Sequence, residues 1–200
     1  MRQLLRLLGV LTGVMFLTGA SASTSPEEVV KATTERVLER VRAEHDALKA
    51  DTGRLYGLVN ELIIPHFDFE AASRLVLGKH WRAASAEQRA RFTEAFKQLL
   101  VRTYANALFQ YADETIVFKP TQADGEQVVV KTEVTQQGAH PIPVNYRMHQ
   151  KDGEWKAYDV FVDGISLVVT YRGDFGSRVN QSGIDGLIND LEAKNRGLSK

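Results

Sequence analysis

The sequence predicts an α+β fold, with an antiparallel sheet of about four strands between N-terminal and C-terminal helices. Apolar residues recur at helical spacing from about residue 26 to residue 107, and they alternate or run β-branched from residue 114 to residue 162. Helical spacing returns after Gly164. Because the helical and alternating regions are consecutive rather than interleaved, the pattern favours helices segregated from the sheet.

Residues 1–22 have the order of regions expected of a secretory signal peptide. Arg2 and Arg6 form a basic start, residues 7–18 are almost wholly apolar, and Ala20-Ser21-Ala22 provides small residues for cleavage. The apolar run is shorter than the roughly 20 residues that a membrane-spanning helix needs. We therefore expect a signal peptide at 1–22, cleaved after Ala22, and a single domain at 23–200 in the periplasm.

Composition narrows the classes of function. The chain has 25 basic and 25 acidic residues, of which only Arg2 and Arg6 lie in the segment 1–22, so 23 basic residues face 25 acidic ones in the domain. A near-neutral domain has no broad electrostatic attraction for nucleic acid. The absence of cysteine excludes disulfides, thiolate metal sites and a lipidated cysteine.

Four helices are predicted before the sheet. Ser25-Pro26-Glu27-Glu28 opens the first, which extends to about Leu48, and the second carries Leu55 to Ile63 and ends at Pro65. Asp68 caps the third, which Gly78 ends. Ser85 and Gln88 form a capping box for the fourth, whose apolar face is Phe92, Phe96, Leu99, Leu100, Thr103 and Ala107.

Four strands and two further helices follow. The predicted strands cover residues 114–119, 127–135, 142–149 and 154–162, with turns at Asp124-Gly125 and Asp152-Gly153. Helical spacing after Gly164 predicts one helix from Ile165 to Val179 and a last one from Ile184 to Leu191.

Chemistry-bearing residues do not form a recognisable catalytic or metal set. Asp68 and His80 could act as a general acid and base, but a helix cap at Asp68 is the stronger interpretation. The five histidines are scattered, with no spacing typical of metal ligation. We expect no catalytic residues, no metal site and no cofactor.

Two blocks of residues resemble the MlaC-like family of periplasmic phospholipid-binding proteins, also called the toluene-tolerance family. The first block contains Phe67-Asp68-Phe69, then residues 77–82, then Gln88-Arg89, Phe92, Phe96 and Thr103-Tyr104. The second contains residues 155–160, residues 164–168, Tyr171-Arg172 and Phe175, with residues 184–187 near the end. The resemblance covers roughly residues 55–195.

The resemblance implies a carrier that is not an enzyme. The fold would be a twisted sheet with helices around a deep apolar pocket, in which the acyl chains of a phospholipid lie. The partners would be an inner-membrane ABC transporter and an outer-membrane lipoprotein–porin complex, and the traffic would maintain outer-membrane lipid asymmetry. We expect the carrier to be a monomer.

Twelve apolar residues are predicted to bind the lipid, although periodicity does not distinguish a pocket wall from a filled core. They are Leu77, Phe92, Phe96, Leu99, Leu100, Tyr104, Val144, Tyr146, Trp155, Val160, Val162 and Val168. Two alternatives remain open at this stage. One is a small exported enzyme that uses Asp68 and His80, and the other is a structural adaptor whose apolar faces are simply filled.

Overall fold

The computed structural model describes residues 24–110, 113–135, 138 and 140–197, and the predicted signal peptide lies outside them. Within these ranges the chain forms eight helices and five strands. The helices are α1 (Pro26–Ala43), α2 (His45–Ala50), α3 (Thr52–Leu62), α4 (Phe69–Leu77), α5 (Lys79–Ala83), α6 (Ala86–Tyr104), α7 (Ala107–Gln110) and α8 (Thr170–Gly197). The backbone of α8 leaves helical geometry at Gly183 (φ 72°, ψ 176°), so α8 consists of two helical segments joined at a kink, as the two predicted helices require. The strands are β1 (Thr115–Asp124), β2 (Gln127–Thr135), β3 (Ile142–Lys151), β4 (Glu154–Val162) and β5 (Ile165–Ser166), and a 3-10 turn covers Ile64–His66.

The predicted helix caps are present. The Ser25 hydroxyl accepts from the Glu28 backbone N–H at 3.2 Å, and the Glu28 carboxylate accepts from the Ser25 backbone N–H at 2.8 Å. Ser85 and Gln88 form the same reciprocal pair. The first predicted helix is divided, however, because the backbone leaves helical geometry at Glu44 (φ −114°, ψ 18°) and a separate short helix follows.

The sheet is an antiparallel meander in the order β1-β2-β3-β4-β5, and the α+β class is confirmed. The prediction of about four strands missed the fifth, and the helix predicted from Ile165 begins only at Thr170. Asp163 (φ 51°) and Gly164 (φ 78°) adopt left-handed conformations that make a tight hairpin. Ile165 and Ser166 therefore pair back onto Val162 and Phe161.

A β-bulge in β4 changes which residues face the helices. Arg147 pairs with Asp159 and Met148 pairs with Ala157, so Tyr158 is the extra residue on β4. Such an insertion reverses the alternation of side chains beyond it. As a result Ala157 and Val160, three positions apart, line the same space.

A helical core of thirteen buried residues lies where α4, α5, α6 and α8 meet. Phe92 and Phe96 are at its centre with no exposed surface, and Phe175 of α8 packs edge-on against both at 5.8 and 5.7 Å between ring centroids. Edge-to-face packing of this kind adds to the stabilisation from apolar burial. The core is Ala72, Val76, Leu77, Trp81, Phe92, Ala95, Phe96, Leu99, Val168, Phe175, Leu187, Ile188 and Leu191.

No helix in the described ranges is both long enough and apolar enough to cross a lipid bilayer.

Candidate binding site

The space between α1 and the inner face of the sheet is not filled. A cavity of about 300 Å³, here called the large cavity, lies between β3, β4, α1 and the turn before α4. Almost every lining side chain is apolar or aromatic. The lining is Val29, Val30, Thr33, Thr34, Val37, Leu38, Ile63, His66, Phe67, Tyr104, Ala107, Leu108, Ile116, Val134, Ile142, Val144, Tyr146, Met148, Ala157, Val160, Val162 and Leu167.

A second cavity of about 190 Å³, here called the small cavity, adjoins the first between α3, α4, α6 and β4. The two cavities have six lining residues in common, Ile63, Phe67, Tyr104, Leu108, Val160 and Leu167. The remaining lining of the small cavity is Val59, Ile64, Phe69, Ala72, Leu100, Val101, Ala105, Tyr158 and Val168. Because they share a wall, the cavities form one divided apolar space. Their combined size falls within the range of about 300–1,000 Å³ that is common for ligand sites.

The hydroxyl of Tyr146 brings no charge into this space. Tyr146 is only half-buried by surface area because part of its ring faces the large cavity, yet protein surrounds the side chain. Burial raises the pKa of its hydroxyl to about 12, although a hydrogen bond with Thr132 opposes the shift. Burial and a hydrogen bond with Tyr104 likewise raise the pKa of the Tyr171 hydroxyl. The Tyr146 phenol therefore presents no charge to the large cavity at physiological pH, whereas Tyr171 lines neither cavity and packs against the helical core.

Phe67-Asp68-Phe69 is an anchored corner of the cavity wall. The Asp68 carboxylate caps α4 by accepting from the Ala71 N–H at 3.0 Å, and it lies 3.0 Å from both His149 Nε2 and Lys151 Nζ of β3. Burial alone would raise the pKa of Asp68, but these hydrogen bonds hold it below its usual value. The phenylalanine rings on either side, 5.6 Å apart, both face the cavities.

A second buried carboxylate fixes the turn after β4. The Ser166 hydroxyl lies 2.9 and 2.7 Å from the two carboxylate oxygens of Asp159, and one of those oxygens also accepts from the backbone N–H groups of Val160 and Val168. Burial raises the pKa of Asp159 above its usual value. This arrangement holds Leu167, which lines both cavities, against the end of the sheet.

The twelve sequence-predicted residues separate into three groups. Leu100, Tyr104, Val144, Tyr146, Val160, Val162 and Val168 line one or both cavities. Leu77, Phe92, Phe96 and Leu99 line neither cavity, because they pack against α8 in the helical core. Trp155 instead lines a third space, a more polar depression beside the N-terminal half of α1.

Sequence reasoning missed several lining residues. Leu167 and Phe67 stand inside the runs that carry the family resemblance, and Met148 continues the alternation of β3, so a signal for each was present. Thr33 and Leu38 of α1 had no such signal. Their helix is charge-rich, and its contribution to the wall depends on how it crosses the sheet.

The Asp68 carboxylate is not paired with His80. Its hydrogen-bond partners in the described part of the chain are the Ala71 amide, Lys151 and His149. No group of three or more histidine, aspartate or glutamate residues within the described ranges could hold a metal ion.

Comparisons with known proteins agree with this geometry. The sequence profile described as MlaC protein matches residues 31–193. The chain is 32% identical to toluene tolerance protein Ttg2D of Pseudomonas putida over 166 residues, covering 82% of this chain and 77% of that protein. It is 29% identical to the intermembrane phospholipid transport system binding protein MlaC of Haemophilus influenzae over 188 residues, covering 92% of this chain and 88% of that protein.

A solved structure has the same fold. It is a phospholipid-binding protein from Ralstonia solanacearum in complex with a phospholipid, and it superposes with a TM-score of 0.80 at 31% sequence identity. The match covers 88% of this chain and 99% of the Ralstonia chain.

Proposed function

The chain belongs to the MlaC family, and from this premise we propose that it is a phospholipid carrier whose divided apolar space encloses the acyl chains. The observation that carries the proposal is the pair of adjoining cavities between α1, α6 and the sheet. The phospholipid in the related Ralstonia structure supports the same ligand class.

A phospholipid needs a carrier because exposing its acyl chains to water costs a large free energy. Each methylene removed from water contributes about 0.8 kcal/mol, so two acyl chains cost on the order of 20 kcal/mol to expose. A lining of valine, leucine, isoleucine and aromatic side chains supplies an apolar surface in place of water. Such a protein needs only to bind a phospholipid and release it, and neither step makes or breaks a covalent bond. We therefore propose a binding role rather than catalysis by Asp68 and His80.

The carrier's compartment and partners follow as further proposals. Export by the signal peptide at 1–22 would place the domain in the periplasm, between two membranes. There it would exchange phospholipid, as a monomer, with an inner-membrane ABC transporter and an outer-membrane lipoprotein–porin complex, and so maintain outer-membrane lipid asymmetry. The Haemophilus relative, named as the binding protein of an intermembrane phospholipid transport system, supports this placement.

Bound lipid provides the test of the carrier function. The mature protein is purified without detergent, extracted with organic solvent, and the extract is quantified by mass spectrometry. We expect phospholipid in a fixed stoichiometric ratio to protein. A periplasmic protein of similar size without an apolar cavity, purified in the same way, is the control. Protein that is folded but free of lipid, and that takes up none from phospholipid vesicles, would overturn the proposal.

A further inference from the structure

A polar depression of about 310 Å³ adjoins the large cavity. It lies between the N-terminal half of α1, the 3-10 turn and the β3–β4 hairpin. Val29, Thr33 and His66 line both spaces, so the depression opens beside the apolar one. The full lining is Thr24, Glu28, Val29, Ala32, Thr33, Arg36, Leu62, His66, Gly153, Glu154 and Trp155.

The two carboxylates in this depression already have partners. Glu28 Oε2 accepts from the Ser25 backbone N–H at 2.8 Å, as part of the cap of α1. Glu154 forms an ion pair with Lys156, whose ammonium group also donates to the Pro65 carbonyl at 2.7 Å. Glu28 keeps its negative charge, because a hydrogen bond from a neutral backbone N–H does not neutralise a carboxylate. Neither carboxylate, however, forms an ion pair with the remaining charged group that lines the depression.

That remaining charge is Arg36. Its guanidinium group forms no ion pair or hydrogen bond with any other residue in the described ranges. His66 is half-buried beside it, and burial together with the nearby Lys156 and Arg36 lowers the pKa of the imidazole. At neutral pH the ring is thus uncharged and can donate one hydrogen bond, as can the hydroxyl of Thr33.

Resting on the carrier function proposed above, we propose that this depression binds the phosphodiester of the lipid headgroup. Arg36 supplies the charge, and Thr33 and His66 supply hydrogen bonds at the boundary with the apolar space. A guanidinium group offers paired N–H donors that match two phosphate oxygens. The continuity of the depression with the large cavity lets one molecule place its phosphate at Arg36 while its acyl chains lie among apolar side chains.

The experiment compares two lipids that differ in the phosphate. Wild type and Arg36→Gln are incubated with vesicles containing equal amounts of dioleoylphosphatidylethanolamine and dioleoylglycerol, and the protein-bound lipids are quantified by mass spectrometry. We expect wild type to favour the phospholipid, and Arg36→Gln to lower the ratio of bound phospholipid to dioleoylglycerol about threefold to tenfold, as for the loss of one charge-assisted contact at an exposed site.

Two control variants make the result specific. Lys31→Gln removes one charge from an exposed position of the same helix, outside all three spaces, and we expect it to leave the ratio unchanged. Arg36→Lys keeps the charge without the paired geometry, and we expect it to retain part of the preference.

The outcomes separate the headgroup site from the carrier function. An unchanged ratio in Arg36→Gln, with phospholipid still bound, overturns the headgroup site and leaves the carrier function intact. Wild type that binds neither lipid overturns the carrier function itself. A titration with inorganic phosphate addresses the other source of the same chemistry. Saturable phosphate binding that is lost in Arg36→Gln while the lipid ratio stays constant would assign Arg36 to free phosphate and overturn the headgroup assignment.

Discussion

The helical core and the sheet side of the molecule have similar apolar composition but are packed very differently. Against the aromatic face of α6, α8 presents Phe175, Leu187 and Ile188. The residues of the helical core have 0–6% of their surface exposed. Against the inner face of the sheet, α1 presents mainly valine and threonine side chains, and about 300 Å³ stays open. The size of the facing side chains, rather than hydrophobicity, thus distinguishes a stabilising core from a binding cavity.

This difference has an energetic consequence. Unfilled apolar space lacks the van der Waals contacts of a packed core, so the empty protein is less stable than one in which the space is filled. The helical core has to offset that cost. A bound acyl chain fills the space and restores the missing dispersion contacts, so the ligand should stabilise the fold as well as being carried by it.

The largest effect is expected from truncating the helical core. Phe96 is fully buried, and its ring lies 5.7 Å from that of Phe175 and 5.6 Å from that of Tyr171. Phe96→Ala should lower the free energy of unfolding by about 3–5 kcal/mol, measured by urea denaturation of the lipid-free protein. Lipid bound per folded chain should be unchanged, because the side chain lines neither cavity. Leu99→Ala is a milder variant for the same measurement, and loss of lipid from either folded variant would contradict the separation of core and cavity.

The opposite pattern is expected on the sheet side. Val160 lines both cavities, so Val160→Phe should occupy space that the acyl chains need. Bound phospholipid should fall about tenfold or more, whereas the free energy of unfolding should change by less than about 1.5 kcal/mol because the added volume enters open space. Val117→Phe, on the exposed face of β1, is the matched control and should bind lipid normally. Full lipid content in Val160→Phe would show that the cavity holds no acyl chain.

A smaller, pH-dependent change in the free energy of unfolding is expected at Asp68, which joins α4 to strand β3. Asp68→Asn keeps an acceptor for the cap of α4 but removes the attraction to Lys151, and should cost about 1 kcal/mol at pH 7 because Lys151 is partly exposed. The folded-state pKa of Asp68 is lowered. Its contribution is therefore complete above its ordinary pKa of about 4 and is lost as the pH falls through the lower folded-state value.

Stability curves of wild type and Asp68→Asn should accordingly converge on acidification. Asp174→Asn, which removes an exposed ion pair with Arg178, provides the comparison and should show a difference of a few tenths of a kcal/mol at most. A gap between wild type and Asp68→Asn that widens below pH 4 would reverse the assigned sign.

Local sequence rules predicted most of the fold. The capping boxes at Ser25 and Ser85, the Asp68 cap and the Asp152-Gly153 turn depend on neighbouring residues only, and the structure contains all of them. The other hairpin turn lies one residue later than predicted, at Gly125-Glu126, because β1 continues past residue 119 to Asp124, which pairs with Gln127. Strand β5 was missed because apolar spacing after Gly164 also fits a helix. The side-chain anchor of this turn, from Asp159 to Ser166, joins residues seven positions apart across two strands.

The site was only partly predictable, and helix α6 shows why. The apolar spacing assigned Phe92, Phe96, Leu100 and Tyr104 to one wall. Each step of four residues advances about 40° around a helix. Over the eight residues from Phe96 to Tyr104, that rotation carries the apolar face from the helical core to the small cavity. Leu100 still packs against the core, and Tyr104 still forms a hydrogen bond with Tyr171 of α8. Periodicity identifies the buried face, but only the positions of the other elements decide which part of it meets a partner and which part meets open space.

Photo-crosslinking with a phospholipid that carries a diazirine in its acyl chain would locate the bound lipid at residue resolution. If the sheet-side cavities hold the acyl chains, adducts should form on Tyr104, Val144, Tyr146 and Val160, and mass spectrometry of proteolytic peptides would identify them. Phe92 and Phe96 should remain unmodified. Adducts concentrated on Phe92, Phe96 and Leu99, with none on the sheet, would contradict the division of the molecule into a filled helical core and an open lipid-binding space.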